Sequence, residues 1–220
     1  MSDANTDFLT HIAHSLGRAS VPSSIPMPPA IDESITRLVR GDVVDLVGKF
    51  VEQARAVKLY VELLASEAEL ALAIVKYLRE KQLTRLVVTR CEQFDRLDLI
   101  GKLNESGIEA KAHDEVGLDK TYDVDAGLTD VYAAVAETGS IVMKRSPQHG
   151  LAASLVPMTH LAVVRREQVV ADLIDLMRKL KQDGTGSGVT IITGPSKTAD
   201  IEMNLVTGVH GPGVVMVFVV

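Results

Sequence analysis

The sequence predicts an α/β protein whose parallel-rich sheet is flanked by helices. Two observations carry that expectation. Between residues 56 and 112, strand-like and helix-like stretches alternate, which is the pattern of parallel strands joined by crossover helices. Near the end, VTIIT (189–193) and VVMVFVV (214–220) are continuous apolar runs, as expected of strands covered on both faces. Composition agrees: 220 residues, 46% apolar and 24% charged, can bury a sizeable core, and with 4% aromatics and no Trp that core is aliphatic.

The elements follow in order. ANTDFLTHIAHSLGR (4–18) sets Phe8, Leu9, Ile12, Ala13 and Leu16 at helical spacing, and Gly17 suits the helix end. His11 and His14, three apart on it, read as surface residues. ASVPSSIPMPPA (19–30), with prolines at 22, 26, 28 and 29, is neither helix nor central strand. Residues 1–30 therefore form an N-terminal helix and linker, and residues 31–220 the main α/β domain. The first helix can dock apart from that body or on a second subunit, which makes a homo-oligomer the expectation.

Residues 31–55 are helical in pattern, broken near Gly41. AVKLYVE (56–62) reads as a strand. Ser66 and Glu69 have capping-box spacing before a helix whose apolar face is Leu70, Ile74, Tyr77 and Leu78. RLVVTR (85–90) reads as a strand, 95–106 as a helix ending at Gly107, and IEAKA (108–112) as a strand. Residues 125–144 form two extended stretches interrupted by Glu-Thr-Gly. THLAVV (159–164) is a strand. Residues 166–184 form an amphipathic helix burying Val169, Val170, Leu173, Ile174, Met177 and Leu180.

Charge and cysteine usage exclude several functions. A net charge of −6 argues against nucleic acid and anionic membranes as partners. The single cysteine, Cys91, cannot form an internal disulfide or hold an iron–sulfur cluster, so a reducing compartment is expected and no cofactor on this chain. No basic-then-apolar leader opens the sequence, and no apolar run reaches spanning length, so the expected location is cytoplasmic.

The chemistry-bearing stretches are few. In ITGPSKTADIEMNLVTGVHGPG (192–213), the Lys-Thr pair at 197–198 follows Ser196, and Ile191 stands where a phosphate loop needs its first glycine. GTGSG (184–188) precedes a strand and so fails as a dinucleotide fingerprint. What survives is an anion nest around Gly194–Thr198 or a plain turn. Asp200, Glu202 and His210 make a poor zinc set, and no metal is expected. Glu137, between Ala and Thr-Gly at a strand break, is either a carboxylate nucleophile or base, or a solvent-facing turn residue. No nucleophile elbow surrounds any serine.

Three stretches together, AETGSIV (136–142), ITGPSKTADIE (192–202) and GVHGP (208–212), resemble the lactate utilization protein C family, which carries the LUD domain. The resemblance spans roughly residues 55–220. It implies a fold similar to the sugar-phosphate isomerase and CoA-transferase group. It also implies a role in oxidising L-lactate to pyruvate beside two iron–sulfur partner proteins, which would hold the clusters; the lack of a cluster site, a dinucleotide fingerprint and a nucleophile elbow favours an accessory, non-catalytic subunit. A small carboxylate or phosphate-containing ligand is expected between the two polar turns, with Thr138, Gly139, Ser140, Gly194, Pro195, Ser196, Thr198, Asp200, Glu202, His210 and Gly211 around it. The alternative from the same resemblance is a CoA-transferase-like or other acyl-group enzyme with Glu137 as the catalytic residue.

Overall fold

The computed structural model describes residues 3–21, 32–33, 37–40, 45–145, 151–199, 205–208 and 210–220. The chain divides into two units, 1–36 and 37–220. In the first, helix α1 (Asp3–Ser15) leaves Phe8, Leu9, Ile12 and Leu16 largely exposed. Its end is a Schellman closure: Gly17 takes φ 70°, its N–H donates to His14 O, and Arg18 N–H donates to Ala13 O.

In the second unit, Asp45 accepts a hydrogen bond from Gly48 N–H and caps helix α2 (Leu46–Ala56). Phe50, Val51 and Ala54 face inward. The strand expected over 56–62 is shorter, because α2 runs to Ala56; strand β1 covers only Tyr60–Leu63. The next helix, α3 (Leu70–Glu80), is preceded by a 3₁₀ turn at Glu67–Glu69. The capping box does not form as expected. Ser66 makes no cap, and Glu69 instead accepts from Ala65 N–H at 3.2 Å. The apolar face is as expected, with Leu70, Ile74 and Leu78 fully buried, each contributing about 1.5–3 kcal/mol on transfer from water.

Strand β2 (Arg85–Val88) follows, then two short helices in place of the single one expected over 95–106: α4 (Glu92–Arg96) and α5 (Leu99–Glu105). Asp98, at φ 47°, breaks them apart. Strand β3 (Glu109–Ala112), helix α6 (His113–Thr121, kinked at Gly117) and strand β4 (Ala126–Asp130) come next. The two extended stretches expected over 125–144 are in fact three strands in two sheets. β4 joins the main sheet, while β5 (Ala133–Val135) and β6 (Ser140–Lys144) form a hairpin elsewhere.

Helix α7 (Ala152–Leu155) leads to β7 (Thr159–Val164). The helix expected from 166 starts late. Residues 166–168 are a 3₁₀ turn, β8 (Val169–Val170) is a strand, and Asp172 caps helix α8 (Leu173–Asp183) by accepting from Asp175 N–H. The buried face of α8 is consequently Leu176 and Leu180, and Met177 is exposed. Strand β9 (Val189–Ile192), the antiparallel pair β10 (Lys197–Ala199) and β11 (Leu205–Thr207), and β12 (Val214–Val219) complete the chain.

Six strands form an all-parallel sheet in the order β1-β12-β7-β4-β2-β3. The α/β expectation holds in this form. One face packs Leu161, Val163, Met216 and Phe218 against α3, α4 and α5. The other face packs Ala162, Val164, Val215, Val217 and Val219 against α2 and a second sheet, ordered β8-β5-β6-β9. The far side of that second sheet meets Leu176 and Leu180 of α8. β9 is its edge strand and only half-buried, unlike the two-sided burial its apolar sequence suggested. Among the described residues no helix is long and apolar enough to cross a membrane.

Candidate functional site

The hairpin turn 136–139 and the turn after β9 lie side by side because both lean on the end of α2. Gly139 has φ 66°, and a Cβ there would overlap the backbone of Gln53 and Ala54. Gly194 has φ 95°, and a Cβ there would crowd the Val57 carbonyl oxygen. Only glycine combines positive φ with such close approach. Antiparallel pairing of β6 with β9, Ile141 opposite Ile192, sets the register of the two turns. A chain of hydroxyls then joins them: Thr138 Oγ1 lies 2.6 Å from Ser140 Oγ, which lies 2.7 Å from Thr193 Oγ1.

Beyond Thr193 the chain forms the β10–β11 hairpin and returns beside its own start. Ser196 N–H donates to Pro212 O and Gly208 N–H donates to Ser196 O. Between this crossing, β9 and the amino ends of β7 and β12 lies a cavity of about 240 Å³. Its polar wall is Ser154, Thr190, Thr193, Ser196, His160 and His210, and Ile191, Ile192 and Val215 supply apolar surface. None of the described lining residues is a Lys, Arg, Asp or Glu. α7, which contributes Ser154, reaches the sheet because β4 carries Gly127, where any Cβ would strike the Ala153 carbonyl.

His160 is the residue of this wall that its sequence context hid. It sits in THLAVV among buried aliphatics and is itself fully buried. Nε2 lies 2.8 Å from Thr129 Oγ1, which in turn lies 3.8 Å from Met143 Sδ. Nδ1 has no hydrogen-bond partner. Burial alone pushes the imidazole pKa down to about 4, so the ring is neutral near pH 7. A buried polar atom left unpaired costs about 1–3 kcal/mol, so each one calls for a physical explanation. The available signal was a polar residue inside a continuous apolar strand, with Thr129 similarly placed in AGLTD.

Residues 47–220 match the family model of the LUD domain. The chain belongs to the LUD domain family. Among relatives of this LUD protein is "Lactate utilization protein C" of Bacillus licheniformis, 29% identical over 93% of this chain and 91% of that one. The protein of the same name from Halalkalibacterium halodurans is 28% identical over 93% and 92%. A crystal structure of a DUF162 family protein from Deinococcus radiodurans covers 80% of this chain and 96% of that one, with TM-score 0.59 and 22% identity, and shares the fold. The stretch matching the LUD domain begins in α2 and contains every residue lining the cavity.

The expected site residues fall into three groups in this LUD domain. Gly194, Ser196, His210 and Gly211 line the cavity. Ser140 and Thr138 stand behind Thr193 in the hydroxyl chain, and Gly139 seats the turn on α2. Glu137 and Pro195 are not among the lining residues, and Glu137 N–H donates to Ala171 O in the turn; Thr198 is on β10. Asp200 and Glu202 lie outside the described residues. Gly211 has no positive φ, and a Cβ there would meet Ser196 Cβ at 3.4 Å, an ordinary contact.

Larger clefts lie elsewhere among the described residues, two of them of about 530 Å³ each. One sits at the carboxyl ends of β4 and β7, lined by Tyr132, Lys144, Arg165 and Lys179, where parallel sheets usually bind ligands. Its cations are already engaged. Arg165 Nε donates to Glu167 at 2.9 Å, Lys179 Nζ to Asp183 Oδ2 at 2.9 Å, and Lys144 Nζ to the Asp183 carbonyl at 2.9 Å. The smaller cavity is the one whose lining includes His160, with its unpaired Nδ1. At Cys91 burial, then the Asp130 charge, pushes the thiol up to about 12, which disfavours the thiolate, and its sulfur accepts from Phe94 N–H. Among the described residues no group of three or more His, Cys, Asp or Glu could hold a metal ion.

Proposed function

We propose that this chain serves lactate utilization as a non-catalytic accessory subunit beside iron–sulfur partner proteins, and that it holds a small carboxylate-containing ligand in the cavity walled by His160. Its relatives named for lactate utilization align over nearly their whole length. The observation that carries the ligand reading is the small cavity whose polar wall is hydroxyls, two histidines and one unpaired buried nitrogen. With no cation among the described lining residues, a monoanion held by hydroxyl and N–H dipoles suits it better than a phosphate dianion. One cysteine leaves the electron-carrying clusters to other chains. The acyl-enzyme alternative loses support because Glu137 lies outside the cavity wall.

Two measurements test this. A deletion strain should lose growth on L-lactate as sole carbon source and regain it with the wild-type chain. The tagged chain, purified from lactate-grown cells, should carry along proteins with the broad visible absorption of iron–sulfur clusters. Undiminished growth of the deletion strain overturns the role. An unaccompanied chain, in a strain that needs it for growth, overturns the partnership.

A further inference from the structure

We infer that the outer edge of β9 is an interface between two copies of this chain. β9 of one copy pairs antiparallel with β9 of the other across a twofold axis at Thr190, and two four-stranded sheets become one continuous sheet. The pairing does not depend on what the cavity holds.

The six-stranded and four-stranded sheets end in β1, β3, β8 and β9. Three of these edges are guarded. At β1, Leu64 N–H donates to Val219 O, so the backbone of Val61 and Leu63 faces away from the sheet. Arg55 of α2 covers that side, its guanidinium donating to Val61 O at 3.1 Å. At β3, Glu109 N–H donates to Thr84 O, so Ala110 faces outward. The side-chain amide of Asn104 occupies both of its backbone groups, donating to Ala110 O at 3.1 Å and accepting from Ala110 N–H at 3.0 Å. β8 is only two residues long. Covered backbone and very short strands are ways in which sheet proteins keep their edges from pairing.

β9 has no such guard. Arg145 N–H donates to Gly188 O, and the alternation of an antiparallel ladder then bonds Thr190 to Met143 and Ile192 to Ile141. Val189 and Ile191 turn their N–H and C=O groups away from the sheet, and among the described residues nothing bonds to them. The strand VTII carries no charge and no proline, and Ile191 is 41% exposed.

These outward groups are self-complementary. With a twofold at Thr190, Val189 of each copy lies opposite Ile191 of the other, and each such pair exchanges both of its hydrogen bonds. Every outward N–H and C=O of the strand is then used. Thr190 meets its own counterpart in the close position that lacks backbone bonds. β-branched side chains face β-branched side chains, and the strands bring no like charges together despite a net charge of −6 on each chain. A twofold at Val189 or Ile191 would draw in Ser187 or Thr193, which lie outside the strand. Leu155, 38% exposed and on the wall of the same cavity as Ile191, widens the apolar margin. So short an edge buries less than a standard interface, which makes the dimer concentration-dependent.

Sedimentation equilibrium of the full chain over a concentration series should fit a monomer–dimer equilibrium. The Val189 and Ile191 amides should exchange their hydrogens more slowly as the dimer forms. Ile191→Pro removes an N–H that makes no bond within the fold, a place where edge strands accept proline. It should keep the cooperative melt and weaken dimerisation by about tenfold or more. Cross-linking reads the register separately, in a Cys91→Ser background that keeps the cap of α4. Under mild oxidation Thr190→Cys should give a disulfide-linked dimer, since facing Cβ atoms in such a pair lie about 4.5 Å apart. Ile191→Cys should not, because its thiols take diagonal positions about 7–8 Å apart. A chain that stays monomeric at every concentration overturns the inference, as does a dimer that Ile191→Pro leaves intact. Should that variant fail to fold, absence of the disulfide from Thr190→Cys overturns it instead. Amides equally protected in the monomer would mean that a segment of the same chain takes the edge, and that outcome also overturns it.

Discussion

His160 shows how one side chain ties stability to the site. In the unfolded chain its imidazole titrates near the ordinary value of 6.5, whereas in the fold burial holds it at about 4. Between those values the unfolded state binds the proton and the native state does not. Stability is therefore retained above about pH 6.5 and lost as pH falls toward 4, by roughly 3 kcal/mol at most. Equilibrium urea unfolding from pH 7 to pH 4 should show this slope, and His160→Asn should flatten it. Carboxylates held low in the fold, such as Asp175 by its hydrogen bond from Arg37, begin to lose their contribution below about pH 5, so the His160 slope is the part read between pH 7 and 5. An equal slope in both proteins would mean that some other group titrates. None of this was legible at residue 160, because a histidine inside an aliphatic strand reads as core. Its partner Thr129 is 31 residues away, brought near by the pairing of β4 with β7.

At the scale of elements, the polar turns were legible and their support was not. Glu-Thr-Gly at 137–139 announced a strand break, and it is one. What holds the hairpin is α2, more than 80 residues earlier, and nothing in either segment names the other. The α8 region failed for a related reason. Val169 and Val170 continue the helical period in sequence, yet β8 takes them to pair with Ala134 and Val135, and Asp172 restarts the chain as a helix. Tertiary pairing outweighed local pattern there. The hairpin's seat on α2 is testable with two glycines. Gly139→Ala forces a side chain into the backbone of Gln53 and Ala54 at positive φ, and should cost on the order of 2–4 kcal/mol in urea unfolding. Gly211→Ala meets only ordinary contact and should change stability by less than about 0.5 kcal/mol. Similar losses at both positions would mean that α2 is not what holds the hairpin.

At the scale of the molecule, the parallel sheet was legible from alternation alone, but the strand order and the location of the cavity were not. An apolar strand followed by a polar loop suggests the carboxyl end of a parallel sheet. β9 instead runs in the second sheet, antiparallel to β6, and delivers its loop to the amino ends of β7 and β12. That inversion puts the candidate site wholly within residues 154–215, inside the unit that begins at Arg37. This unit has its own buried clusters on both faces of the main sheet, drawn from residues 39 to 219. Arg37 belongs with it, since its guanidinium meets Asp175 on α8 through two hydrogen bonds of 2.7 and 3.0 Å and lies 3.5 Å from Asp172. A chain shortened to begin at Arg37 should therefore melt cooperatively and bind L-lactate with the affinity of the full chain. Loss of the cooperative transition would show that residues 1–36 complete the fold. A cooperative melt with weakened binding would show instead that the first unit contributes to the site.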